Sequence, residues 1–169
     1  MHQATYMKSF PLVTVSLLAT FLAARVVHAE TNIVRDPDRH PYYGFELEPH
    51  LVLAPVRGPV PGAGVRGTVV LAQNGFIDSI NDSVGLGFGV DYTHDKTWVP
   101  LVMQWNFWLS EHWSVFGEPG IAWRWDDQFG SSRADLTLYG GARLRLAGRV
   151  ALTARVGYPG FTLGVSFLL

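Results

Sequence analysis

The chain contains no cysteine, which excludes a disulfide scaffold and any thiolate metal site. Charge is sparse at 16% of residues, with a formal net charge of −1. No basic stripe exists to hold a nucleic acid, so that class of partner is excluded as well. Lysine is nearly missing: Lys8 and Lys96 are two of 13 basic residues, and the rest are arginine. Long hydrophobic runs are absent beyond residue 29. No later stretch approaches the ~18–20 apolar residues of a membrane-spanning helix without a charge, Gly or Pro. If the protein crosses a membrane, it does so without helices.

The first 29 residues stand apart. Lys8 precedes an apolar run from Phe10 to Ala24, and Arg25-Val-Val-His-Ala29 ends in small residues before Glu30. This pattern predicts a cleavable secretory signal peptide over 1–29. Residues 30–41 are polar and broken by proline, as in a short leader. The remainder, 42–169, suits one domain.

Eight stretches of that remainder alternate at period two and end in turn chemistry, which predicts strands joined by hairpins. They run from Tyr42 to Leu53, Ala63 to Gln73, Ser83 to Thr93 and Thr97 to Leu109. The others span His112 to Trp125, Ala134 to Leu146, Arg149 to Tyr158 and Phe161 to Leu169. Val70 and Leu168 are apolar misfits on the otherwise polar face. Each stretch meets the ~9–11 residues that a tilted membrane strand requires.

Polarity then decides between a barrel in water and a barrel in lipid. One face carries nearly all the large aliphatic and aromatic side chains, Tyr43 and Phe45 among them. The other carries Glu46, Glu48, Asp91, Glu118 and Asp135 against Arg66, Arg124, Arg143, Arg145 and Arg155. An eight-stranded lumen is only just wide enough for side chains and could not accept the whole aromatic set. Balanced charges and many glycines suit a crowded interior. The expected fold is therefore all-β: an eight-stranded antiparallel up-and-down transmembrane β-barrel with its apolar face outward. Tyr92, Trp98, Trp123, Trp125 and Tyr158 would form an aromatic girdle at one rim, with Trp113 at the other.

With these features the chain resembles the small outer-membrane β-barrels of Gram-negative bacteria, over residues 42–169. The last strand, with Gly164, Val165, Phe167 and Leu169, is similar to the carboxy-terminal assembly signal of that class, although it ends in Leu169 and not in an aromatic residue. The resemblance implies residence in the outer membrane, contact with its lipid, and recognition by the assembly machinery through the last strand.

Three local constellations could carry chemistry. Counting from hairpin turns puts His50 opposite Arg66, Arg124 opposite Asp135, and Glu118 near Gln104 and Gly141, with Arg143 and Tyr139 on the diagonals. Arg143 or Arg155 is the expected partner of Glu118. This points to an ion-paired plug in the lumen, since arginine satisfies carboxylates bidentately and stays charged. Glu46, Glu48 and His50 share one face at a spacing that could hold a metal; opposite Arg66, structural pairing is the expectation. His112 and Ser114 resemble the His-x-Ser pair of lipid A deacylase barrels, but they sit beside a turn on the side that holds both termini. The expected function is a non-enzymatic, monomeric membrane barrel without metal or cofactor. A narrow pore for small solutes is the alternative, and a lipid-modifying enzyme using His112 and Ser114 a more distant one.

Overall fold

The computed structural model describes residues 31–54, 60–94, 96–126, 130–158 and 160–169; the signal-peptide expectation for 1–29 lies outside them. Eight strands form one closed barrel in chain order: β1 (Phe45–Ala54), β2 (Val60–Ala72), β3 (Asp82–Thr93), β4 (Lys96–Trp108), β5 (Trp113–Asp126), β6 (Ser131–Ala147), β7 (Val150–Tyr158) and β8 (Phe161–Leu168). Every neighbouring pair is antiparallel, and β1 closes against β8. Burial alternates residue by residue along β8 without a slip, as a period-two strand between an enclosed and an open face requires.

Turn and proline chemistry shape the ladders. Gly148 closes the β6–β7 hairpin at φ 54°, a left-handed backbone that glycine adopts without steric cost. Bulges interrupt β2 between Val70 and Ala72 and β6 between Arg145 and Ala147. Four prolines lie inside strands. Pro61 is the second residue of β2, before the β2–β3 ladder begins at Gly62, and the other three sit at an interruption of one ladder: Pro49 between β1 and β8, Pro100 between β3 and β4, and Pro119 between β4 and β5. Each lacks the N–H that a two-sided strand would donate there, while the ladder on its other flank stays paired.

Even positions of β1, β2, β4, β5 and β8 and odd positions of β3, β6 and β7 point inward, and the lumen is layered. At the end that carries Thr31 and Leu169, here the base, Ile33, Tyr43, Trp108 and Leu168 form a buried apolar cluster with Val70 packed against it. The two misfits of the polar face thus belong to a lid. At the opposite end, the top, Trp98 is buried with Ala54 and Ala122. Trp98 is not part of a girdle. Its even position on β4 turns it into the lumen, which corrects the sequence expectation.

The leader is also more than a linker. The Ile33 N–H donates to the Leu109 carbonyl at 3.1 Å, and the Asn81 N–H to Val34 at 2.7 Å. The His40 ring stacks on Tyr42 and Trp108, with Nδ1 2.6 Å from Asn81 Oδ1. Tyr43, expected outside, turns in because β1 begins only at Phe45, after Gly44 and Phe45 donate to the Leu169 carbonyl. Asp38 ties this segment to the β2–β3 turn. Its carboxylate accepts from Asn74 Nδ2 at 2.5 Å and from Tyr42 Oη at 2.8 Å, and these bonds hold it below the usual carboxylate range.

Ile33 is fully buried, so Ile33→Ala should weaken docking of the segment by roughly 2–5 kcal/mol. Trypsin should then cut after Arg35 or Arg39 much faster while the barrel itself stays intact. Docking should also loosen in acid. Because the Asp38 carboxyl is lowered in the folded state, its contribution is complete above the usual carboxylate value and lost as pH falls through the lowered one.

Candidate functional site: a sealed charge layer in the lumen

Between the two apolar lids lies a layer of ionisable side chains, each inward by strand parity. Glu46, Glu48 and His50 come from β1, Arg66 from β2, Asp91 from β3, Glu118 from β5, Arg143 from β6 and Arg155 from β7. The arginines and carboxylates among them are no more than 1% exposed. Four carboxylates face three guanidiniums, and His50 fills the remaining position.

Glu118 is the hub. Arg155 Nε donates to both of its carboxylate oxygens, at 3.1 and 3.0 Å. Arg66 Nη1 donates at 2.9 Å and Gln104 Nε2 at 2.8 Å. Arg155 Nη1 also reaches Glu48 at 2.5 Å, and Arg66 Nη2 reaches Asp91 at 3.3 Å. Asp91 Oδ1 lies 2.6 Å from His50 Nε2, whose other ring nitrogen is 3.8 Å from Glu48. The chain Glu48–Arg155–Glu118–Arg66–Asp91–His50 thus returns to Glu48 as a ring. Toward the base, Arg143 Nη2 pairs with Glu46 at 2.5 Å, and Nη1 donates to the Tyr43 hydroxyl at 3.2 Å.

Aromatic faces complete the layer. The Arg143 and Arg155 guanidiniums both lie over the Phe116 ring, at 5.3 and 5.0 Å, and Arg66 lies over Tyr139 at 5.1 Å, which adds cation–π attraction where water is excluded. Gly141 makes this possible, since a Cβ there would collide with the Phe116 ring.

Several sequence expectations change in register. Glu118 is opposite Tyr139, not Gly141, and Arg143 is opposite Ser114. Arg143 therefore serves Glu46, and Glu118 takes Arg66 and Arg155. Glu48, not His50, is opposite Arg66; His50 faces Gly64. Glu46, Glu48 and His50 go to different partners and do not converge on one point. Arg124 is opposite Arg133, and Asp135 opposite Ala122. Arg124 still reaches Asp135 diagonally at 3.5 Å, but at the partly exposed top rim and outside the sealed layer. Arg145 departs too: it lies partly exposed near the β6 bulge and lines a polar pocket at the base with Asp38, Arg39, His40 and Glu111.

The outer positions are as follows. Tyr92, Trp123, Trp125 and Tyr158 are exposed on the wall toward the top, and Trp113 toward the base. In β8, Gly164 faces the lumen while Val165 and Phe167 are exposed, as is Leu169 just past the strand. His112 is exposed in the turn before β5, whereas Ser114 is fully buried. They occupy different environments because the strand begins only at Trp113. Parity on β4 and β5 could have found the missed interior aromatics, since Trp98, Trp108 and Phe116 all occupy inward positions. Nothing local marks Ile33.

Removing the hub carboxylate takes one of two carboxylate partners from each of two buried guanidiniums, leaving Arg155 with Glu48 and Arg66 with Asp91. Glu118→Gln is expected to lower folding free energy by roughly 3–5 kcal/mol in a urea titration. Gln104→Ala removes one neutral donor and should cost about 1–3 kcal/mol.

No protein-family model matches the chain, and no curated protein matches it. Among solved structures, the chain is similar to a de novo designed barrel titled TMB2.3, solved by solution NMR. The TM-score is 0.57 at 9% identity, over 75% of this chain and 94% of that one. A second similar structure, titled as de novo design of transmembrane β-barrels, gives a TM-score of 0.50 at 14% identity, over 76% of this chain and 98% of the other. At such identities the likeness concerns the fold alone. The chain is an all-β, closed eight-stranded antiparallel barrel of the shape built in designed transmembrane barrels.

Proposed function

We propose that the protein is an integral outer-membrane barrel of a Gram-negative bacterium, with a closed lumen and a structural, non-enzymatic role. The observation that carries this reading is the ring of buried ion pairs held between two apolar lids. A lumen filled in this way leaves no wide aqueous path, and it ties β1, β2, β3, β5 and β7 to one another across the interior. Hydrolysis by His112 and Ser114 would need both in one environment, and one is exposed while the other is buried.

The outer wall supports the membrane part of the reading. Leu51, Val65, Leu86, Phe88, Leu101, Met103, Leu163 and Phe167 are all exposed there, a surface that water would penalise and lipid would not. Trp113 and Trp123 on β5 are ten residues apart. At ~3.3 Å per residue and a ~40° tilt that separation is about 25 Å along the barrel axis, the height of an apolar band between aromatic girdles. In this reading residues 1–29 export the chain and are removed. The last strand, through Gly164, Val165, Phe167 and Leu169, is what the assembly machinery recognises.

Two measurements test the proposal. Refolded protein in a planar bilayer should show no steady conductance; a large open current from the unaltered chain would favour the narrow-pore reading instead. On the wall, Leu163→Arg should block assembly by about 2–4 kcal/mol at the bilayer midplane, whereas Tyr92→Arg at the rim should cost about 0–1. Heat-modifiable gel mobility reports both.

A further inference from the structure

The segment between β2 and β3 straddles the base rim. Its end turns inward, where Asn81 is buried against His40 and donates to Val34. Its beginning lies on the outer wall. Asp82 and Val84 continue the outward series of Leu86, Phe88, Val90 and Tyr92, being opposite Phe107 and Trp105. Unlike that series they are 1% and 3% exposed. Over Asp82 the segment itself is part of the cover. Gly75 donates its N–H to the Asp82 carbonyl at 2.9 Å, and a Cβ on Gly75 would collide with the Asp82 carboxylate. Phe76 meets the Trp105 ring edge-on at 6.1 Å, and Trp105 in turn stacks on Phe107 at 5.3 Å.

The carboxylate explains why cover is needed. A charge on an apolar wall is costly unless it is paired and sheltered. Trp105 Nε1 donates to Asp82 Oδ2 at 2.5 Å, and Gly75 and Phe76 close over the rest. What this arrangement leaves outside is apolar: Phe76 is 70% exposed, and Ile77 is exposed beside it. Solvent-facing loops seldom present a Phe-Ile tip, and here the tip is continuous with the aromatic pair of the wall.

We propose that Phe76 and Ile77 insert into the lipid leaflet at the base, at the boundary between headgroups and acyl chains, and form with Trp105 and Phe107 an aromatic anchor at that rim. This rests on the membrane reading and adds its second interfacial belt, on residues that alternation along strands does not reach. The partner is lipid. Amphipathic and aromatic groups favour that depth, and Asp78, exposed one residue past the tip, would remain in water.

The absence of cysteine makes the test direct. Phe76→Cys, Ile77→Cys, Asp78→Cys and Leu163→Cys, each labelled with nitrobenzoxadiazole, are folded into phosphatidylcholine–phosphatidylglycerol vesicles, and folding is checked by heat-modifiable mobility. Labels at 76 and 77 should emit to the blue of the label at 78. They should be quenched severalfold more by lipids spin-labelled near the headgroup than by lipids labelled near the chain end, with the reverse order at 163. Water-like emission at 76 and 77 with a lipid-buried 163 overturns the anchor and leaves the barrel in its membrane. Water-like emission at all four positions overturns both readings. Quenching at 76 as deep as at 163 overturns the interfacial placement. The variant at 76 gives up the edge-on contact with Trp105; if it fails to fold, the label at 77 decides alone.

Discussion

Everything inside this barrel depends on the sharing of Glu118 between Arg66 and Arg155. A carboxylate without water is tolerated only when its charge and lone pairs are met, and here two guanidiniums and the Gln104 amide meet them. The same arginines must in turn be satisfied, which draws in Glu48 and Asp91, and His50 then joins the two. A ring of this kind has few alternative arrangements. Moving any one of its strands by two residues would strand a buried charge, so the ring fixes register as well as filling space.

The lids set the conditions under which the ring works. Trp98 at the top and the Ile33–Tyr43–Trp108–Leu168 cluster at the base are apolar; they keep water from competing with the ion pairs and lower the local dielectric. One lid is part of the wall, and the other depends on a docked segment held by Ile33, His40 and Asp38. The barrel is therefore closed in two physically different ways, by a fixed indole and by a strap of chain.

The wall carries the opposite demand. Its outward side chains are apolar, and where an acid occurs, as at Asp82, a neighbouring indole and a folded-over segment shelter it. Pro49, Pro100 and Pro119 sit in strands at the cost of one interrupted ladder each, and inward glycines such as Gly141 give up side-chain volume so that large interior groups fit.

Period-two alternation with its hairpin turns was enough to determine the strands, their order and, inside the strands, which side chains share a face, because those follow from local backbone geometry. It failed at strand ends, where Tyr43 and His112 lie before β1 and β5 begin. Glu46, Glu48, Arg66, Asp91, Glu118, Arg143 and Arg155 are all inward by that rule alone. Partner choice was not legible. Alternation is blind to a shift of two residues, and such a shift separates the expected Glu118–Gly141 register from the observed Glu118–Tyr139 one. That difference, with the bulges in β2 and β6, sends Arg143 to Glu46 and leaves Glu118 to Arg66 and Arg155. Alternation on β4 puts Trp98 inside but cannot tell that it meets Ala54 and Ala122 there, or that Ile33 docks beneath the barrel. Those outcomes depend on how much volume a closed lumen must fill and on which charges meet across it, quantities that exist only once all eight strands are in place.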